Sequence, residues 1–185
     1  DLQAAMFLAA GICAAVIGRE KTGVGDYVTC ALQHAGVYAL MTGMISAQYG
    51  NPYPKSRLEV ICPFNNVYMT GDGKYLAMCD PEYDRDYNKI MGLIGRDDLI
   101  DEPRLVNCNK MNEAGLNPEV VGILDEALAK MTAAEALKLF KDAGIPIELC
   151  QTPLDVYEDQ NVWDNDYLVK IHYPEADRNI PTVPI

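Results

Sequence analysis

A long apolar run stands at the beginning of the sequence and limits what this chain can fold into. Between Leu2 and Ile17 the only polar side chain is Gln3, and no lysine or arginine occurs between Lys21 and Lys55. An apolar segment of this kind is a secretion signal, a membrane span or a helix buried in a protein core. Each of these alternatives predicts a different arrangement of the flanking charges.

The order of charges and the length of the run favour the buried helix. A secretion signal carries positive charge before its apolar stretch, whereas here Asp1 precedes the run and Arg19 and Lys21 follow it. The sixteen residues are also short for a bilayer, whose hydrocarbon core of roughly 30 Å requires about 20 residues. The sequence therefore predicts no membrane segment, but a helix that ends near Arg19 before Gly23 and is buried on several sides.

Composition narrows the classes of function. The chain has 185 residues, of which 49% are hydrophobic and 23% charged, as in ordinary globular domains. A net charge of −12 argues against a nucleic-acid partner, which would require clustered lysine and arginine. Six cysteines are widely spaced without a CxxC pair, so neither a metal site nor a redox motif is predicted. We expect buried free thiols at Cys13 and Cys30 and a reducing, cytoplasmic location.

The segments that follow the first helix predict the inside of a layered α/β domain. Residues 26–32 are β-branched and aromatic and follow a glycine, which is typical of a buried strand. Residues 33–50 read as a second apolar helix. Because one strand cannot complete a sheet, and because the chain does not begin with methionine, we expect this piece to belong to a larger protein.

A change of composition at residues 50–57 marks the predicted domain boundary, since two prolines and basic charge return there. The sequence is accordingly divided into residues 1–50, a remnant of one α/β domain; residues 51–165, a smaller α+β domain; and residues 166–185, a return segment. The last of these ends in an extended, proline-rich tail over residues 180–185.

Strands and helices are both predicted in the smaller domain. Residues 67–70 and 74–79 read as a hairpin around the turn 71–73. Asp80 is predicted to cap a helix that starts at Pro81 and reaches about residue 93. The remaining elements are helices over residues 118–130 and 132–143, the second opened by the capping box of Thr132 and Glu135, a strand over 145–150, one or two helical turns over 152–159, and a strand over 166–173.

Few residues carry a pattern typical of chemistry. His34 and His172 lie far apart in the sequence, so structural roles are favoured over a catalytic pair. The acidic residues 80–89 are predicted to be a helix start with exposed carboxylates. Asp1 could cap the first helix through its free N–H groups, and the same helix dipole and apolar surroundings would suit a nucleophilic carboxylate. From the residues alone, the cap is the favoured interpretation.

Taken in order, these segments resemble the class III CoA-transferases. That family (CaiB/BaiF) includes formyl-CoA transferase, carnitine CoA-transferase, and the bile-acid-inducible and phenyllactate CoA-transferases. Its pattern is an aspartate, an Ala/Gly-rich helix, and "R-x-K-T-G-x-G" leading into a strand. Here these are Asp1, the apolar run, "REKTGVG" at residues 19–25 and "DYVTCAL". "VYMTGDG" at residues 67–73 and "GIPIELC" at residues 144–150 are similar to motifs of its smaller domain. The resemblance covers essentially the whole chain.

The resemblance implies a fold and a reaction. The fold is α/β, with a partial Rossmann-like large-domain segment followed by a smaller α+β domain. The reaction is acyl-CoA:carboxylate CoA transfer, in which Asp1 falls on the nucleophile and passes through an aspartyl anhydride and an aspartyl-CoA thioester. Coenzyme A is then part of the substrate, and no cofactor is bound covalently in the resting enzyme. The resemblance implies an acyl-CoA and a carboxylic acid as substrates, and an interlocked homodimer as the assembly.

Two alternatives stay open beside the transferase. Related α-methylacyl-CoA racemases also place an aspartate at this helix start, with a histidine upstream of it. The second alternative is a non-catalytic folded fragment or interaction domain. We expect the 185 residues alone to be inactive, because family members are considerably longer. The family's Gly-rich loop is replaced by "NPYPKSRLEV", which makes oxalate or formate chemistry a weaker expectation. The residues that contact coenzyme A are not assigned.

Overall fold

The computed structural model describes residues 1–51, 55–176 and 178–183. The chain divides into two compact units, Asp1–Lys55 and Ser56–Ile185. Within the described residues the first unit is helical, and the second combines helices with two small antiparallel sheets. The mixed α/β class is thus confirmed, whereas the Rossmann-like detail and the three-part division of the sequence stay predictions.

The first unit opens with the predicted helix. Helix α1 spans Leu2–Thr22 and ends at Gly23, whose positive φ of 73° allows its N–H to donate to the carbonyl of Arg19. The predicted burial of this helix is wrong for the described chain, in which Ala4 is its one buried residue. A helix that is apolar all round needs neighbours on several sides, and α2, at Leu32–Ala39, is its main packing partner here.

The length of α1 bears on the membrane question. The helix has 21 residues, and an 18-residue window of it has a mean hydropathy of 1.7, so by length and composition alone it could cross a membrane. The core helix of a larger soluble fold and a leader sequence have the same properties. The expectation of no membrane segment therefore no longer rests on length. It stays a prediction that depends on the order of the charges around the helix.

The predicted strand at residues 26–32 is not found. Residues 24–31 are extended but pair with no other strand in the part of the chain that the structure describes. A β-strand is completed by hydrogen bonds to a neighbour, which local sequence preference cannot supply. The single helix predicted over residues 33–50 is also wrong in detail, since α2 ends at Ala39 and α3 occupies Met41–Gln48.

The predicted hairpin of the second unit is confirmed and forms the centre of a three-stranded sheet. Strands β1 (Asn65–Met69) and β2 (Tyr75–Cys79) pair antiparallel, with Val67 opposite Ala77. Strand β3 (Ile147–Leu149), also predicted, pairs with the other edge of β2. The strand order is therefore β1-β2-β3, and the sheet joins residues from the two ends of the second unit.

Six helices of the second unit surround or extend this sheet within the described residues. They are α4 (Tyr83–Leu93), α5 (Cys108–Glu113), α6 (Asn117–Leu128), α7 (Ala133–Asp142), α8 (Pro153–Glu158) and α9 (Gln160–Asp164). The predictions for α4, α6, α7 and α8 are confirmed, including the capping box of Thr132 and Glu135 on α7. The two missed helices, α5 and α9, have six and five residues, too few to show helical periodicity.

The start of α4 differs from the prediction. The residue that precedes the helix is Glu82, not Asp80. Asp80 lies two residues earlier and uses Oδ1 to accept a hydrogen bond of 3.0 Å from the backbone N–H of Glu82. Its side chain therefore orders the turn before the helix, and Pro81 lies in that turn rather than in the first helical position.

Aromatic and aliphatic side chains from the sheet and helices form the core of the second unit. Phe64 stacks on Tyr83 with ring centroids 4.4 Å apart. Buried tyrosine hydroxyls usually find a polar partner, and Tyr68 and Tyr83 donate to the carbonyls of Pro63 and Leu105 at 2.6 and 2.8 Å, whereas the hydroxyl of Tyr87 has no partner among the described residues. Further fully buried members are Leu76, Tyr87, Ile90, Leu124 and Phe140.

A separate hairpin ends the described chain. Strand β4 (Val169–Tyr173) pairs antiparallel with β5 (Arg178–Thr182). The predicted strand over residues 166–173 is thus confirmed, and the predicted extended tail is confirmed over residues 180–182. Its last two residues, 184 and 185, lie outside the described residues. The role of this hairpin as a return segment stays a prediction.

Candidate active site

Asp1, the one predicted catalytic residue, lies exposed at the N-terminal end of α1. Its backbone carbonyl accepts the first helical hydrogen bond, 2.9 Å from the N–H of Ala5. Its side chain makes no capping hydrogen bond to the helix, so the predicted cap is wrong. The carboxylate therefore stands beside the positive end of the helix dipole without being used to hold the helix.

An open groove of about 710 Å³ runs beside α1 within the first unit. Small residues of α1 form one wall and the extended segment at residues 24–28 forms the other. The approach is close, since a Cβ added at Gly11 would lie 2.8 Å from Cγ1 of Val28. Arg19 lines the groove and pairs with Glu20 at 2.8 Å. The groove is wide and exposed, and its lining does not include Asp1.

The two histidines occupy different settings. His34 is exposed on α2, where it lines a groove of about 330 Å³ with Phe7 and Tyr38. His172, in the other unit, lies on β4 with Nδ1 3.3 Å from Oδ1 of Asn179 on β5. The second of these fits the predicted structural role, because a cross-strand pair stabilises the hairpin.

The cysteines match their predicted settings only in part. All six cysteines are free thiols. Cys30 is half-buried but Cys13 is exposed, so the predicted burial is wrong for Cys13. Across residues 1–51, 55–176 and 178–183, no group of three or more histidine, cysteine or acidic side chains could hold a metal ion.

The prediction of exposed carboxylates before and within α4 holds for Glu82 and Asp84 but is wrong for Asp80 and Asp86. Asp80 and Asp86 are 0% and 2% exposed. Hydrogen bonds from Arg85, at 2.5 Å, hold the pKa of Asp86 below its usual range, and Lys89 adds a contact of 3.1 Å. Burial raises the pKa of Asp80, and the Asp86 carboxylate beside it acts in the same direction. Oδ2 of Asp80 receives no hydrogen bond within the described chain.

The family-like motif "VYMTGDG" has a structural role that explains its residues. Oδ1 of Asp72 accepts hydrogen bonds from the hydroxyl of Thr70 at 2.6 Å and from the N–H of Ala133 at 3.0 Å. Gly71 donates to the carbonyl of Met131 at 2.8 Å. These contacts join the hairpin turn to the start of α7, and they also lower the pKa of Asp72 through the Thr70 hydroxyl.

Comparison with known protein families matches CoA-transferase family III over residues 1–185. The chain belongs to this family. The resemblance inferred from the sequence motifs is therefore confirmed, and Asp1 is the first residue of the matched region. The role of Asp1 as the family's nucleophile stays a prediction.

Curated relatives of this family III chain share sequence across its whole length. It is 36% identical to cinnamoyl-CoA:phenyllactate CoA-transferase of Clostridium sporogenes, over 100% of the chain and 46% of that protein. It is 31% identical to (R)-2-hydroxy-4-methylpentanoate CoA-transferase of Clostridioides difficile, over 97% of the chain and 45% of that protein. The chain thus spans about half the length of the curated relatives it matches.

Solved structures show the same fold. Rv3272 from Mycobacterium tuberculosis, in an orthorhombic crystal form, has a TM-score of 0.72 at 24% identity, with 97% of this chain and 46% of that chain covered. A CAIB/BAIF family protein from Brucella suis has a TM-score of 0.70 at 18% identity, with 99% and 51% covered. At these identities the likeness concerns the fold alone, and it covers both units of the family III chain.

Proposed function

We propose that this protein transfers coenzyme A between an acyl-CoA thioester and a carboxylic acid, with Asp1 as the nucleophile. The observation that carries the proposal is the family III match over residues 1–185, with 36% identity over the whole chain to a curated CoA-transferase. The resemblance of the sequence motifs implies that Asp1 corresponds to the family's aspartate. Because the chain spans about half the length of those relatives, the activity is proposed for the whole protein and not for these residues alone.

The setting of Asp1 supports a nucleophilic carboxylate. An aspartate that caps a helix through its side chain has its oxygens engaged by backbone N–H groups, which reduces their nucleophilicity. Here the side chain makes no such bond and is exposed. The positive end of a 21-residue helix favours the ionised form, which is the form that attacks.

The proposed reaction has four balanced steps. The Asp1 carboxylate attacks the thioester carbonyl, forming a mixed anhydride and releasing the CoA thiolate. The thiolate attacks the aspartyl carbonyl of the anhydride, forming an aspartyl-CoA thioester and releasing the donor acid. The acceptor carboxylate then attacks the aspartyl thioester, giving a new anhydride and free thiolate. Attack of the thiolate on the acceptor's acyl carbonyl yields the new acyl-CoA and restores Asp1.

We propose that the transferred acyl group derives from a 2-hydroxycarboxylic acid or from the corresponding unsaturated acid. The two relatives described above are named for phenyllactate and 2-hydroxy-4-methylpentanoate, both 2-hydroxy acids with a bulky apolar substituent. A third, from Acetobacter aceti, is named for acetyl-CoA and oxalate and is 30% identical over 80% of the chain. Phenyllactate, 2-hydroxy-4-methylpentanoate and oxalate are therefore the acceptors to compare.

We further propose that the active protein is a cytoplasmic homodimer. Support comes from the exposed apolar side chains of the first unit, such as Met6, Ile12 and Leu32. Soluble proteins rarely leave large apolar patches in water, so exposed side chains in this number favour a covering partner. Light scattering of the purified protein is expected to give the mass of a dimer, and a monomer that is fully active would contradict this part of the proposal.

The nucleophile is tested by trapping. The full-length protein is incubated with cinnamoyl-CoA and then with hydroxylamine, and the peptide that contains Asp1 is analysed by mass spectrometry. We expect an aspartyl hydroxamate at Asp1, because hydroxylamine cleaves both the anhydride and the aspartyl thioester. Asp1→Asn is expected to lower the rate of CoA transfer by about 10³-fold or more.

Matched controls separate the alternatives. Glu158→Gln, which neutralises an exposed carboxylate on α8, is expected to retain transfer and trapping. Transfer that survives Asp1→Asn, or an active enzyme without a trapped adduct, would contradict the proposal. Exchange of the substrate's α-proton in D₂O without an acceptor acid would instead indicate racemase chemistry. Residues 1–185 alone are expected to show no turnover.

A further inference from the structure

Two thiols of the second unit lie together although they are distant in sequence. Cys62 precedes β1, and Cys108 is the first residue of α5. We propose that Cys62 and Cys108 form a reversible intrachain disulfide when the protein meets a small-molecule disulfide such as oxidised glutathione. This modification site is independent of the proposed transferase chemistry at Asp1.

The backbone around Cys62 brings the two side chains within bonding reach. Sγ of Cys108 lies 3.4 Å from the carbonyl oxygen of Ile61. That oxygen and Cα of Cys62 belong to one planar peptide group and are about 2.8 Å apart, which puts Sγ of Cys108 within about 6 Å of that Cα. The two thiols are also close enough for each to shift the pKa of the other. A disulfide requires Cα atoms no more than about 7 Å apart, and the position of Sγ of Cys108 is compatible with that geometry after rotation about the Cα–Cβ bonds.

Two amide side chains hold the segment before Cys62 in this position. Nδ2 of Asn112, on α5, donates to the carbonyls of Ile61 and Cys108, both at 2.7 Å. Nδ2 of Asn117 donates to the carbonyl of Val60 at 2.6 Å. The backbone before Cys62 is thus tied to α5 and α6, and Asn112 joins it directly to the carbonyl of Cys108.

The surroundings of the two thiols assign them different parts in the reaction. Both are half-buried, so small reagents can reach them. Burial raises the pKa of Cys62 to about 11. Burial and the nearby Asp84 carboxylate also raise the pKa of Cys108, but the hydrogen bond from Nδ2 of Asn112 to its Sγ, at 3.4 Å, opposes the rise. Cys108 therefore has the larger thiolate fraction near neutral pH and attacks first.

The reaction balances as two thiol–disulfide exchanges. The Cys108 thiolate attacks one sulfur of glutathione disulfide, forming a mixed disulfide and releasing one glutathione thiolate. The Cys62 thiolate then attacks Sγ of Cys108, forming the intrachain bond and releasing the second glutathione thiolate. Two protein thiols are oxidised and one glutathione disulfide is reduced to two thiols. Dithiothreitol reverses the change.

The experiment follows both thiols by mass spectrometry. Reduced protein is incubated with glutathione disulfide at mildly alkaline pH, its remaining thiols are alkylated, and the digest is analysed without reduction. We expect a cross-linked peptide pair that contains Cys62 and Cys108 and disappears after dithiothreitol. Because the bond restricts the unfolded chain between the two residues, the Tm of the second unit should rise by about 5–10 °C.

Serine variants test the assigned parts, with circular dichroism confirming that each is folded. Cys62→Ser should accumulate the Cys108–glutathione mixed disulfide, whereas Cys108→Ser should leave Cys62 at least about tenfold slower to react. Cys79→Ser, which removes an exposed thiol of β2, should form the cross-link normally. The proposal is overturned if the unsubstituted protein also stops at the mixed disulfide, or if Cys79 and Cys150 react while the pair stays reduced.

Discussion

The two units of this chain use apolar side chains in opposite ways. Unit Asp1–Lys55 has the more apolar sequence, yet Ala4 and Ala35 are its only buried residues among those the structure describes. Unit Ser56–Ile185 carries most of the charge and encloses a core that includes Tyr68 and Phe140. The difference teaches that apolar composition does not by itself produce burial. A core needs a second layer, and the sheet and helices of the second unit provide it.

Helix ends show the same contrast. In the second unit Thr132 and Thr152 form capping boxes, and Asn107 accepts a hydrogen bond from the first turn of α5. The three helices of the first unit have no side-chain caps within the described residues. Helices without caps depend on tertiary packing for their stability. The first unit, which contains Asp1, is therefore the part whose order depends more on what surrounds it.

Matched phenylalanine truncations test the comparison with the largest expected effect. Phe140 is 0% exposed and Phe7 is 37% exposed. Phe140→Ala removes a fully buried ring and is expected to lower the free energy of unfolding by about 3–5 kcal/mol, while Phe7→Ala should cost about 1 kcal/mol or less. Urea denaturation followed by circular dichroism measures both. An equal cost at Phe7 would show that the first unit is packed as tightly as the second.

Glycine substitutions test how closely the backbone is packed at two places in the second unit. A Cβ at Gly71 would lie 2.5 Å from the carbonyl oxygen of Ala129, whereas at Gly122 it would meet nothing within 4 Å. Gly71→Ala is expected to destabilise the protein by about 2 kcal/mol. Gly122→Ala, in the middle of α6, should stabilise it by up to about 1 kcal/mol. Thermal unfolding checks the signs, and loss of stability at Gly122 would contradict the assignment.

Gly11→Ala sharpens the comparison in the first unit. The added Cβ would approach only the end of a side chain, Cγ1 of Val28, at 2.8 Å. Since that side chain can rotate away and alanine favours the helix, we expect a change within about 0.5 kcal/mol. A cost as large as that of Gly71→Ala would indicate that the extended segment is held rigidly against α1.

A buried carboxylate makes the second unit sensitive to pH. The pKa of Asp80 is raised in the folded state, so its protonated form is favoured there, and the stability it contributes is lost as pH rises through the folded pKa. The pKa of Asp86 is lowered, so its contribution is present above the unfolded pKa and lost as pH falls. Asp80→Asn should therefore raise stability more at pH 7 than at acidic pH. Equal effects at both pH values would contradict this.

A further small effect is expected at an ion pair on the surface of the second unit. Arg57 donates two hydrogen bonds of 2.8 Å to the carboxylate of Asp125, and its guanidinium lies 5.3 Å from the ring centroid of Tyr68. Arg57→Lys loses the paired geometry and should cost about 0.5–1 kcal/mol, less at high salt. Lys138→Gln, which breaks the more exposed pair with Asp142, should cost close to zero. Equal losses of stability in the two variants would show that the paired hydrogen bonds of Arg57 contribute nothing.

Several parts of the fold and of the site could be predicted because their signals are local. Gly23 ends α1 because its positive φ suits glycine, and Thr132 with Glu135 opens α7 through hydrogen bonds over three residues. The hairpin turn at residues 71–73 was also readable from adjacent glycines. The order of such motifs indicates the family, and that order is the one sequence signal that indicates Asp1 as the candidate nucleophile.

The tertiary structure decided everything that depends on residues distant in the chain. Residues 26–32 have the composition of a strand, but a strand exists only with a hydrogen-bonded neighbour. Asp80 and Asp86 resemble surface charges in the sequence and are buried by packing around α4. The separation of Cys62 and Cys108 in the sequence does not indicate that the two residues lie close together in the fold. Burial and proximity arise from the whole packed chain, whereas turns, caps and helix ends are set by a few neighbouring residues.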